Sequence, residues 1–213
     1  MNVPPMPDLA SLAAFSLTAL ALVMSPGPDT MLSLRYGITS GPRAALAAVA
    51  GVQAGLIVHT LLAVAGISAL IAASPTLFRG LAILGAAYLG WLGIQGLRGA
   101  AAFTVDGATP PVSVKAAWRD AVLTNVLNPK VILLFVALYP NFIEPGRGDV
   151  ASQLLGLSAV LIVINVMWQT PLAWAAAHVR RWLAAPRVQL LVSRLTGAVL
   201  LAFAVMILYQ HAA

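Results

Sequence analysis

The sequence has no cysteine, which excludes disulfides and thiolate metal sites. Charge is nearly as scarce: Asp, Glu, Lys and Arg make up 8% of the 213 residues, while 61% are hydrophobic. Soluble domains are about 25% charged and about 45–50% apolar, so this composition excludes an ordinary soluble fold. Sets of residues that catalysis would need are missing too. There is no H-E-x-x-H, no G-x-S-x-G and no paired carboxylates, which leaves an enzyme without a nucleophile–base pair or a metal cluster. Three scattered histidines, His59, His178 and His211, make no metal site, and nothing calls for a cofactor. Met1 to Asp8 contain no Lys or Arg, so the n-region of a secretory signal is lacking and the first apolar run reads as a retained span.

What is present is length in apolar runs, with a mean hydropathy of +0.93. A spanning helix needs about 20 mostly apolar residues, and six stretches qualify: roughly 9–30, 44–73, 76–97, 118–143, 151–177 and 189–209. The second is long enough to tilt or to extend past the hydrocarbon. Residues 99–117, with Asp106-Gly107 and Pro110-Pro111, form the one real linker. It divides a single transporter domain, 1–213, into repeats at about 9–98 and 118–210. The net charge of +6 would suggest nucleic acid in a soluble chain. Here the basic residues sit in short gaps between apolar runs, where topology and anionic lipid headgroups explain them, so no nucleic-acid partner is expected. Nine of them (Arg35, Arg43, Arg98, Lys115, Arg119, Arg180, Arg181, Arg187 and Arg194) fall on one side of the membrane and two, Arg79 and Arg147, on the other. The positive-inside rule then puts both termini outside. Three spans per half is odd, so the halves insert with opposite orientation, as a 3+3 inverted repeat.

Two of the apolar stretches are broken. The first break reads Ser25-Pro26-Gly27-Pro28-Asp29 and the second Asn128-Pro129-Lys130. Proline removes a backbone donor and clashes with the preceding turn. In hydrocarbon the freed groups need partners, so a break is tolerated only inside protein or beside a water-filled cavity. A charge at that depth is costly and marks a functional site by default. Ordinary proline kinking covers Pro171, but it covers these two poorly. Each break lies in the first helix of its half, joins proline to Gly or Asn, and is followed at once by a charge. Paired breaks of this kind point to a transporter.

With these motifs the chain resembles the LysE/RhtB family of amino-acid exporters. Arg35, Gly41-Pro42-Arg43, Gly51, His59, Ala86, Tyr88-Leu89-Gly90 and Tyr139-Pro140-Asn141-Phe142 add to the similarity; at Asn141 the family more commonly has Gln. The resemblance implies a transporter of the bacterial inner membrane, exporting amino acids or close derivatives under the proton motive force, and not an enzyme. A metal ion or drug on the same scaffold is the alternative cargo, though a divalent-ion carrier would want several intramembrane carboxylates or histidines.

A midplane site for an amino acid must satisfy a carboxylate and an ammonium. Lys130 can pair with the carboxylate, aided by the N–H groups of the half-helix at Pro129. Asp29 can pair with the ammonium, aided by carbonyls freed around Pro26, Gly27 and Pro28. In the empty carrier Asp29 and Lys130 can instead pair with each other, or Asp29 can serve as an N-cap. Asn125 and Asn128 complete the candidate substrate residues. Gln53, His59, Asn165, Trp168 and Gln169 are candidates for the cavity wall or a proton relay; Asp29 and His59 are the groups whose titration can approach neutrality. Ala47, Gly51 and Gly55, and likewise Ala86 and Gly90, repeat at a four-residue spacing that permits close helix packing. These faces can meet within one chain or across a homodimer.

Overall fold

A computed structural model describes residues 7–25, 27–98, 111–144, 146–176 and 185–212. Pro26, His178, Trp182 and most of the linker lie outside them. The described residues form helices joined by turns, with no strand: α1 Leu9–Met24, α2 Pro28–Thr39, α3 Pro42–Ala73, α4 Pro75–Leu97, α5 Val114–Val126, α6 Pro129–Leu133, α7 Val150–Trp174 and α8 Pro186–Ala212. After α6 the helical path continues as a π-helical turn, Leu134–Leu138, and a 3₁₀ turn, Tyr139–Phe142.

Local chemistry sets the helix starts, because the first N–H groups of a helix need outside acceptors. Asp8 accepts from Ser11 N at 2.7 Å, Ser113 Oγ accepts from Ala116 N at 3.2 Å, and Asp149 Oδ2 accepts from Ser152 N at 2.9 Å. The Ser152 N–H holds the Asp149 carboxyl below the ordinary aspartate range. The Ser113 cap begins α5 four residues before the span expected at 118, which shortens the linker. Pro171 sits inside α7 without ending it.

Two helices are long and apolar enough to cross a membrane, over Pro42–Gly66 and Val150–Trp174. Two further pairs meet the same test if each is one bent span: Leu9–Met24 with Pro28–Thr39, bent by 51°, and Val114–Val126 with Lys130–Phe142, bent by 50°. The chain is a multi-pass membrane protein. Leu62, Met167 and Trp174 turn outward, 62%, 72% and 70% exposed, as a lipid-facing surface requires. Helix α3 has 32 residues, about 48 Å at 1.5 Å per residue, in line with the long second span.

Inside, α3 lies between α5 and α7, and α4 lies along α8. The α4–α8 contact is made by glycines: a Cβ on Gly197 would lie 2.6 Å from the Gly93 carbonyl oxygen. The small-residue face of α3 is likewise used within the chain. Gly51 meets Trp118 and Ala121 of α5, and Gly55 meets Asn125. Toward the start of α1, Phe15, Phe135, Tyr139 and Phe142 form an aromatic layer, with Tyr139 stacked on Phe135 at 4.4 Å and set edge-on to Phe15 at 5.4 Å.

Candidate functional site

Both breaks end α-helices where the sequence requires it. Gly27, extended at φ −150°, is the N-cap of α2, with Pro28 following and Asp29 in the first turn. Asp29 is therefore inside the helix rather than its cap. At the second break Asn128 is the N-cap of α6 and its Oδ1 accepts from Lys130 N at 3.0 Å.

The charges of the two breaks cross. Asp29 Oδ2 accepts from Asn125 Nδ2 at 2.8 Å and from Asn128 Nδ2 at 3.2 Å, so the acid of the first break is held by the second. Lys130 Nζ donates to the Ser25 carbonyl at 2.7 Å, so the base of the second break is held by the first. Among the described residues no Asp29–Lys130 ion pair forms; the ion pairs are Arg119–Asp120 and Arg147–Glu144. The direct pairing open to these two charges is replaced by a reciprocal exchange. Asp29 is buried, and its Oδ1 has no partner.

Between the breaks lies a cavity of about 40 Å³, room for a few waters. Gly27, Asp29, Asn125, Asn128, Lys130, Asn165 and Gln169 line it together with Ser25 and Thr30, and Leu22, Leu56, Val131, Leu134 and Leu161 form its apolar wall. The structure therefore gathers Ser25, Gly27, Asp29, Asn128 and Lys130 of the breaks, but not Pro28 or Pro129, with two of the polar α7 residues, whose spacing from Leu161 (i, i+4, i+8) forms one stripe.

The other candidates stand behind the wall. Gln53 Nε2 donates to Asn165 Oδ1 at 2.7 Å and to the Val49 carbonyl at 3.2 Å. His59 is buried, bonds the Asn125 carbonyl through Nε2 at 3.2 Å, and stacks on Phe135 at 5.4 Å. A carbonyl only accepts, so His59 carries the proton on Nε2 and supports the Asn125 backbone. Trp168 packs against the apolar core. Pro129 occupies the first turn of α6.

Two polar knots that no motif announces flank the cavity. Tyr36 Oη donates to Asp120 Oδ2 at 2.8 Å, and Arg35 Nη2 donates to Tyr36 Oη at 3.3 Å. This ties α2 to α5. At the opposite end, fully buried Gln153 pairs with both backbone groups of Glu144, each at 2.9 Å. Glu144 Oε1 accepts from Ser11 Oγ at 3.1 Å, which ties the start of α1 to the start of α7. Asp120 is visible in the sequence as a charge inside an apolar stretch; Gln153 carries no local signal.

A membrane protein whose discontinuous helices enclose a polar cavity belongs with the transporters. The LysE type translocator family model matches residues 20–211, and the chain belongs to that family. Its members are translocators, not enzymes. An uncharacterized membrane protein of Vibrio cholerae is 37% identical over 90% of this chain and 93% of its own. A homoserine/homoserine lactone efflux protein of Salmonella typhimurium is 34% identical over 82% of this chain and 84% of its own. A leucine efflux protein of an Enterobacter strain is 32% identical over 78% and 79%. No solved structure matches.

Proposed function

We propose that this protein exports amino acids or close derivatives across the bacterial inner membrane, in exchange for protons, by alternating access around the cavity between the two breaks. The observation that carries this is the reciprocal exchange of charge: Lys130 on the Ser25 carbonyl and Asp29 on Asn125 and Asn128. A zwitterion entering the cavity meets an ammonium and a carboxylate that are not neutralising each other. Its carboxylate takes Lys130 from a neutral carbonyl, a stronger charge-assisted bond. Its ammonium goes to Asp29 Oδ1, which has no partner. Drawing Lys130 from Ser25 releases the hold of one half on the other. That couples binding to movement, since a ligand shifts an equilibrium only through differential contacts.

In this reading the chain is a 3+3 inverted repeat, with α4 and α8 as the third span of each half, both termini outside and lipid around the bundle. Bends of 51° and 50° at corresponding places favour it. So does the packing, in which α1 lies on α7 as α5 lies on α3, and α3 on α7. The named relatives export homoserine, homoserine lactone or leucine, which favours amino acids over a metal ion or drug. Asp29 is the proton carrier in this reading, and the small-residue faces are used within one chain rather than in a homodimer.

The test is efflux from proteoliposomes preloaded with a mixture of labelled amino acids, with and without an imposed proton gradient. Gradient-dependent loss of one or a few is expected. If none moves under any gradient, the amino-acid reading falls and metal ions and drugs follow in the same vesicles.

A further inference from the structure

We infer that His59 is a positioning residue of this site: it replaces the backbone donor that Pro129 removes at the second break, and so holds Asn125 and Asn128 on Asp29. The inference rests on the transport reading above. Its starting point is a carbonyl that the break sets free. In an unbroken helix the Asn125 carbonyl accepts from the N–H four residues on. That residue is Pro129, which has no N–H to give. A carbonyl left bare inside a membrane protein must find another donor. Two reach it: Asn128 N at 3.0 Å, which closes the turn, and His59 Nε2 at 3.2 Å, from α3.

At the first break the Ser25 carbonyl is met in the same way, by Lys130 Nζ at 2.7 Å. Each break thus gives one carbonyl to a basic side chain, but the two contacts differ. Lys130 lines the cavity, where a cargo carboxylate can draw it away, whereas His59 is 6% exposed and stands behind the wall. His59 also stacks on Phe135 at 5.4 Å. Its ring therefore touches span four on both sides of the break, before it at Asn125 and after it at Phe135. The stack fixes the plane of the ring, and that plane aims Nε2 at the carbonyl. What the contact steadies is the acid. Asn125 and Asn128 both donate to Asp29 Oδ2, and the carbonyl that His59 holds belongs to the first and takes the N–H of the second. In this role His59 is a donor and not a proton relay, since a backbone carbonyl accepts a hydrogen bond and passes no proton on.

Two substitutions separate the donor from the ring. His59→Gln keeps an amide NH₂ near the place of Nε2 and cannot titrate; His59→Phe keeps a ring against Phe135 and cannot donate. Initial efflux per inserted molecule is measured in proteoliposomes against the internal concentration of the labelled amino acid that wild type moves best. His59→Phe is expected to raise the half-saturating concentration about five- to tenfold, as the loss of one hydrogen bond allows, and His59→Gln by less than about threefold. A merely structural role would lower the maximal rate and leave that concentration alone, and this result overturns the proposal. So does a His59→Phe variant that matches wild type, or a His59→Gln variant as impaired as His59→Phe. Histidine ¹⁵N spectra of the protein in bilayers, assigned by the signals lost in His59→Gln, give a readout free of transport. Nε2 of His59 should carry a proton; a bare Nε2 overturns the proposal and leaves export standing. If no amino acid leaves wild-type vesicles, the transport reading falls and takes this proposal with it.

Discussion

Gly55 has no side chain to offer the cavity, yet its replacement by alanine should disable the site. A Cβ at Gly55 would lie 2.4 Å from Asn125 Oδ1 and 2.8 Å from Asn125 Cβ and Cγ. Ordinary contact begins near 3.4 Å, so the gap must open by about 1 Å in an interior packed as densely as a crystal. Either α3 retreats from α5 or Asn125 swings away. Both outcomes stretch the 2.8 Å bond from Asn125 Nδ2 to Asp29. Hydrogen bonds to charged groups contribute about 1.5–3 kcal/mol, which is roughly 10- to 150-fold in the population of the intact site. Gly66 on the same helix is the control, since a Cβ there would meet nothing within 4 Å. Initial efflux per inserted molecule should fall by about tenfold or more in Gly55→Ala and by less than about twofold in Gly66→Ala. Gly55→Ala transporting at the wild-type rate, correctly inserted, would refute the idea that Asn125 must hold Asp29.

Asp29→Asn keeps shape but removes the charge that meets the substrate ammonium; gradient-driven efflux should drop at least about tenfold while detergent-solubilised protein keeps its size-exclusion profile. Tyr36→Phe removes the 2.8 Å bond to Asp120 that joins α2 to α5. A thiol-specific label on Thr30→Cys, introduced into a chain with no other cysteine, should then react about tenfold faster or more, by the roughly 1.5–3 kcal/mol that a hydrogen bond to a charged group contributes; an unchanged rate would mean the link does not restrain the two halves. Gln153→Ala strips both partners from the Glu144 backbone, at about 1–3 kcal/mol for each buried group left unpaired. Thermal unfolding in detergent should show a clearly lowered midpoint, and a midpoint equal to wild type would argue that water replaces the glutamine.

How much of the fold and site is legible in the sequence depends on how local each signal is. A proline and a charge inside an apolar run are visible one segment at a time, so both breaks, and Asn125 and Asn128 beside the second, stand out in the order of amino acids alone. Partners are not local. Opposite charges at the two breaks suggest an Asp29–Lys130 pair, but Lys130 reaches the Ser25 carbonyl, an atom that every residue possesses and no sequence pattern marks. Gly55 and His59 stand out as residues, whereas their shared dependence on Asn125 arises from the packing of α3 on α5. Asn165 and Gln169 are visible as polar residues in a span; that they face the cavity while Gln53 and Trp168 stand behind it follows from the rotation of α3 and α7.

The most direct test of the central claim is to compare wild type with Lys130→Ala in the proton-gradient efflux experiment, using the labelled amino acid that wild type moves best. Efflux should be abolished in Lys130→Ala at equal insertion, because no other cation lines the cavity among the described residues. Normal efflux by the properly inserted variant would remove Lys130 from the mechanism, and with it the exchange of charge between the two breaks on which the account rests.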